Sequence, residues 1–82
     1  MAFTYILRCA DGSLYVGHTA NLRARLDAHL AGVASAYTAR RLPVRMIYAE
    51  EFSSELAAIK RERQIKRWSR AKKEALITLR AR

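Results

Sequence analysis

The chain opens on an apolar run. Residues 2–9, Ala-Phe-Thr-Tyr-Ile-Leu-Arg-Cys, are rich in aromatic and β-branched side chains, which predicts a strand. Residues 14–19 form a second such run, and Asp11-Gly12 between the two predicts a hairpin turn, since glycine supplies the positive φ that the turn needs. Strand side chains alternate faces, so the turn length decides which residues share a face. A two-residue Asp11-Gly12 loop would put Tyr5 and Tyr15 on opposite faces. A three-residue loop, Asp11-Gly12-Ser13, opposes Cys9 to Tyr15 and gathers Tyr5, Leu7, Cys9, Tyr15 and Gly17 on one face. The second arrangement is the expectation, with Gly17 leaving open space beside the tyrosines.

The period then changes. Leu22, Leu26 and Leu30 recur every fourth residue and predict a helix over about residues 21–31 with one buried stripe. Asn21 or Thr19 can cap it, and Gly32 stops it. Arg25 and His29, also four apart, share an adjoining stripe. Residues 33–43 read as a loop, ended by Pro43. Residues 44–50 alternate enough for a third strand. Ser53 or Ser54 starts a helix reaching about Trp68, and Ser69 caps another to about Leu79, with Ala71, Ala75, Leu76 and Leu79 available for packing. The element order is β-β-α-β-α-α, without internal repeat or linker, in one α+β domain spanning residues 1–82.

Charge changes this picture at one end. The formal net charge is +9, and residues 60–82 hold ten of the sixteen Lys and Arg against two acids, Glu62 and Glu74. Such a one-ended bias points to a polyanion rather than to solubility alone. A single cysteine, Cys9, excludes an internal disulfide and a cysteine-built zinc cluster, and reads as a small strand residue. No run approaches a membrane span, Arg8 interrupts the one candidate signal stretch, and a reduced, cytoplasmic setting is expected.

Three features carry chemistry. Around the glycine break in residues 15–29 stand a phenol, a guanidinium and an imidazole: Tyr15, Arg25 and His29. Arg binds phosphate as a fork, and a phenol or imidazole moves protons. Glu62 has Ala58 and Ile59 one turn before it and Ile65 one turn after, so it sits on the apolar stripe of its helix. An inward carboxylate is costly unless paired, here with Arg25 or Lys66, or bound to a metal. The loop over residues 33–43 carries Ser35, Tyr37, Thr38, Arg40 and Arg41, either a nucleic-acid contact or a merely polar connector.

Tyr15-Val16-Gly17 resembles the second tripeptide of the GIY-YIG nuclease superfamily. Thr4-Tyr5-Ile6 stands where the first should be, Arg25 and His29 match the helix arginine and the Tyr-or-His one turn later, and Glu62 matches the metal-binding glutamate. The resemblance covers nearly the whole chain and best fits the small stand-alone members, sometimes called URI domains. It implies a three-stranded antiparallel sheet flanked by three helices, and phosphodiester hydrolysis with one Mg²⁺ or Mn²⁺ on Glu62. Arg25 would neutralise transition-state charge. Tyr5 is the first choice to orient or deprotonate the attacking water, which requires its pKa to be lowered by neighbouring cations or the role to be relayed to metal-bound hydroxide. Tyr15 would bind phosphate or share that role, and His29 is the rival base. The expected substrate is DNA, single-stranded or branched, with RNA as the alternative polymer, held by His18, Arg40, Arg41, Lys66, Arg70 and Lys73, with bases stacking on Tyr37 or Trp68. A non-catalytic nucleic-acid-binding module that keeps the fold is the alternative reading. Two departures stand out: the first tripeptide lacks its glycine, and no asparagine follows the glutamate helix.

Overall fold

The structure, a computed structural model, describes residues 1–80. Arg82, counted above in the basic block, lies outside them. Its elements are β1 (Ala2–Arg8), β2 (Leu14–Thr19), α1 (Leu22–Leu30), α2 (Ala36–Ala39), β3 (Arg45–Phe52), α3 (Glu55–Lys66) and α4 (Arg70–Arg80). They follow the expected α+β order, with a four-residue helix, α2, inside the stretch read as loop. The sheet is antiparallel in the order β2-β1-β3, which leaves β2 on an edge.

The hairpin corrects one detail. Leu7, not Cys9, opposes Tyr15, and Tyr5 opposes Gly17. Residues 9–13 form the whole connection, closed by Cys9 N–H to the Ser13 carbonyl and Gly12 N–H to the Cys9 carbonyl, both 2.9 Å. Gly12 has φ +86°, the left-handed conformation its lack of a Cβ permits. The pairing slips by two residues relative to expectation. An even slip leaves every side chain on its expected face.

Each face of the sheet has its own cluster. Tyr5, Leu7, Cys9 and Val44 pack with Tyr15, Leu22, Leu26, Met46 and Ala49 on the α1 side. Ile6, Val16, Tyr48 and Ile65 pack with Leu14, Ile47, Trp68, Leu76 and Ile77 on the α3–α4 side. Leu30 does not complete the expected α1 stripe: it is 46% exposed, because the helix ends there and buries His29 instead. In α4, Ile77 takes the packing place expected of Ala71, Ala75 and Leu79, which all face solvent beside the half-buried Leu76.

Side-chain caps set the helix starts. Asn21 accepts from Ala24 N–H, Ser35 from Tyr37 N–H and Ser54 from Ala57 N–H. Thr4, at the missing glycine of the first tripeptide, is fully buried and donates its hydroxyl to the Ala58 carbonyl at 2.8 Å. It fastens α3 to the middle strand. The bidentate pair of Arg8 with Glu74, at 2.9 and 2.7 Å, fastens α4 to the other end.

Candidate active site

Tyr5 is the buried centre of the site, at 2% exposure. Its ring crosses from the middle strand over Gly17 to the sheet edge. A Cβ built on Gly17 would lie 2.6 Å from the Tyr5 hydroxyl oxygen and 2.7 Å from Cζ. The space beside the tyrosines is therefore not open: the phenol fills it. Gly17→Ala is expected to displace a fully packed ring, costing about 1–3 kcal/mol of stability. Thermal unfolding checks this, and a variant as stable as the parent would contradict it.

The Tyr5 hydroxyl meets His29 Nε2 at 2.8 Å, and His29 Nδ1 meets the Thr38 hydroxyl at 2.8 Å. Thr38 in turn donates to the Ser35 carbonyl at 3.3 Å. A hydroxyl that gives its proton to a carbonyl accepts with its lone pairs. Nδ1 therefore carries the imidazole proton, Nε2 is free to accept, and Tyr5 donates to it. Thr38, fully buried on α2, was grouped with the loop's nucleic-acid contacts by sequence but instead holds His29. The one sequence signal for it is Ser35, whose cap starts the helical turn that carries Thr38 inward.

Electrostatics define the states of this chain of groups. Burial pushes the Tyr5 phenol well above its ordinary value. Tyr15 adds to the rise, Arg25 opposes it and Glu62 adds to it again. The lowering by cations that sequence suggested is outweighed by desolvation. Burial, helped by Arg25, lowers His29, so its imidazole is neutral at neutral pH. The unfolded chain titrates at the ordinary 6.5. Below that pH it takes up a proton that the folded chain resists, so His29 makes stability fall as pH drops below 6.5. Thermal midpoints measured from about pH 7.5 to about pH 5 should show this slope, and His29→Gln should flatten it. Glu62 and Glu74, both held below 4.5, add their own losses only at lower pH. An unchanged slope in the variant would contradict the assignment.

Around this core, Tyr15 sits edge-on to His29 at 5.1 Å between ring centroids and stacks on Tyr37 at 6.0 Å. Arg41 lies 3.8 Å over the Tyr37 ring and pairs with Asp11 at 3.1 Å. Tyr37 thus touches both Tyr15 and Arg41 and stays 38% exposed. Arg25 is exposed one turn before His29, and its charge acts on both Tyr5 and His29.

Glu62 arrives from the opposite layer. Its side chain is 14% exposed, with His18 Nδ1 at 2.5 Å from one oxygen and Lys66 Nζ at 2.6 Å from the other. Burial alone would raise this carboxyl. The hydrogen bonds from Lys66 and His18 outweigh it and hold the group below its ordinary value. The pairing foreseen with Lys66 is present, and His18 on the edge strand is the second partner. Tyr5, Tyr15 and His29 thus gather on the α1 side of the sheet, with the charge of Arg25 acting on Tyr5 and His29, while Glu62 pairs with His18 and Lys66 from the α3 side and its charge still reaches Tyr5. Arg40 is exposed. Arg70 is drawn to the hairpin, donating to the Gly12 carbonyl at 2.8 Å and pairing with Glu74 at 3.4 Å. Lys73 is half-buried on α4.

The model of the GIY-YIG catalytic domain matches residues 1–75, and the chain belongs to this nuclease superfamily. It is 47% identical over 75 residues to a UPF0213 protein of Natronomonas pharaonis, covering 92% of this chain and 88% of that one. A UPF0213 protein of Staphylococcus haemolyticus is 45% identical over 75 residues, covering 92% of both chains. The solution NMR structure of a UPF0213 protein from Bacillus halodurans superposes with TM-score 0.63 at 39% identity, covering 96% of this chain and 85% of the other. No helix among the described residues is long and apolar enough to cross a membrane.

Proposed function

We propose that this protein is a divalent-metal-dependent endonuclease that hydrolyses phosphodiester bonds of DNA, with single-stranded or branched DNA as the preferred substrate. The observation that carries the reading is the convergence on Tyr5: its hydroxyl is bonded to a neutral imidazole, and the charges of Arg25 and Glu62 both act on it. Sequence left Tyr5 and His29 as rival bases. In this reading they work in series. The phenol orients the attacking water and takes its proton while passing its own to His29 Nε2. The resulting imidazolium keeps its other N–H on Thr38. This route does not require a phenolate in a site that disfavours one. Arg25, on the solvent side, neutralises charge gathering on the phosphoryl oxygens.

Glu62 suits one Mg²⁺ or Mn²⁺. No group of three His, Cys, Asp or Glu among the described residues could form a protein cage. A hard cation held by one carboxylate, waters and substrate phosphate needs none. Bound there, the ion supplies Lewis acidity toward the phosphate and the leaving oxygen. The second reading, a non-catalytic nucleic-acid-binding module, is favoured by the pairing of both Glu62 oxygens. Against it stands the partial exposure of His18 and Lys66, 34% and 51%, which lets both swing aside.

Arg25→Ala tests the assignment. Single-turnover cleavage should fall by about 10²–10³-fold, the scale of one lost electrostatic donor. Arg25→Lys should restore only part, since an ammonium lacks the bidentate fork. Full rescue by lysine would reduce Arg25 to a simple charge. Competition among single-stranded, branched and duplex DNA then ranks the substrates.

A further inference from the structure

We propose that the outer face of α3 is a second nucleic-acid-binding surface, a basic groove that holds the backbone of a single strand outside the catalytic cluster. The proposal rests on the nuclease reading only for the nature of its polyanion. Helix α3 buries Ala58 and Ile65 against the sheet and turns Glu62 toward β2. Lys60, Arg63 and Arg67 follow one another at helical spacings on the opposite side, all exposed. With Gln64 and Trp68 they line a surface groove of about 310 Å³.

The lack of acidic partners sets these three apart from their neighbours. Arg61 pairs with Glu50, Lys66 with Glu62, and Arg70 with Glu74. Lys60, Arg63 and Arg67 have no side-chain ion pair or hydrogen bond among the described residues. Like charges three and four residues apart repel and destabilise a helix. The helix dipole offsets this for Arg63 and Arg67, near the C-terminal end, but not for Lys60 in the middle. A polyanion lying in the groove would relieve the repulsion.

Trp68 gives the groove a second chemistry. It is half-buried, with Lys72 Nζ 4.4 Å and Arg61 Cζ 5.2 Å from its ring centroid. An aromatic surface beside a row of cations fits a single strand, with phosphates on the cations and a base against the indole. From Lys60 to Arg67 the row runs about 10 Å along the helix, the reach of a few nucleotides rather than a duplex arm. Of the residues expected from sequence to bind substrate, His18 and Lys66 are engaged with Glu62, Arg70 with Glu74 and Gly12, and Arg41 with Asp11, while Arg40 and Lys73 do not line this groove. Lys60, Arg63 and Arg67 are the ones placed to meet a strand here.

Trp68 is the sole tryptophan of the chain, so its emission reports on this groove. The test titrates the whole protein, in EDTA, with a 5′-labelled oligothymidylate. Label anisotropy reads binding anywhere, and Trp68 emission reads binding here. The two signals should move together. The Lys60→Gln, Arg63→Gln, Arg67→Gln triple variant, checked by circular dichroism for an unchanged fold, should bind at least about tenfold more weakly at low salt. Its slope of log affinity against log salt should flatten by about two units, for three lost single-strand phosphate contacts. The proposal is overturned by anisotropy without a Trp68 response, by an unchanged salt slope in the variant, or by an equal or stronger Trp68 response to polyglutamate, which would make the groove a dock for acidic protein. No binding in either signal also overturns it. Cleavage measured separately with metal then decides whether the nuclease reading fails too.

Discussion

Glu62→Gln abolishes cleavage and leaves nucleic-acid binding intact: this is the expected result with the sharpest contrast between its two halves. The amide keeps the shape of the side chain but loses the negative charge that would hold a divalent cation. Losing that Lewis acid removes several kcal/mol of transition-state stabilisation, a drop of at least about 10³-fold. Stability should change by less than about 1 kcal/mol. The two partners left behind, His18 and Lys66, are 34% and 51% exposed and can be solvated. Oligonucleotide binding should match the parent, because the basic surfaces are untouched. A variant that still cuts would remove Glu62 from the chemistry. One that unfolds would make Glu62 a structural ion-pair residue and nothing more.

Tyr5→Phe should lower single-turnover cleavage by about 10²–10⁴-fold, the usual range for loss of a positioned proton-transfer group. It should also cost about 1–3 kcal/mol, because His29 Nε2 is left buried without a partner. The two effects separate by measuring cleavage well below the variant's unfolding temperature, where the population is folded. The series arrangement makes a further demand. His29→Gln should lose cleavage on a comparable scale, and the double variant should lose little more than either single one, since both break one proton path. Additive losses would mean that Tyr5 and His29 act separately, as sequence alone allowed.

The parts legible in sequence were those fixed by local rules. The caps at Asn21 and Ser54, the positive φ at Gly12 and the helix stop near Gly32 each follow from the side chain present. The shared face of Tyr5 and Tyr15 followed from strand parity, which survives an even error in register. What failed depended on distant partners. Leu30 fits the four-residue period as well as Leu26 does, but the last turn of α1 points His29 into the fold and leaves Leu30 outward. Ile77 rather than Leu79 packs α4 against the sheet, and the Arg8–Glu74 pair that fastens this helix joins residues sixty-six positions apart. Gly17 was read as a gap because its occupant, the Tyr5 ring, comes from another strand. Thr38 was one hydroxyl among several until α2 brought it under His29. In each case the missing information was which surface another element would present.

The central claim, that these groups form a metal-dependent phosphodiesterase site, is tested most directly by one measurement. Purified protein in excess is incubated with end-labelled single-stranded and branched DNA, in Mg²⁺, in Mn²⁺ and in EDTA, and the products are resolved by size. Internal cleavage is expected with either metal and none in EDTA. Intact DNA under every metal, or equal cutting in EDTA, would contradict it.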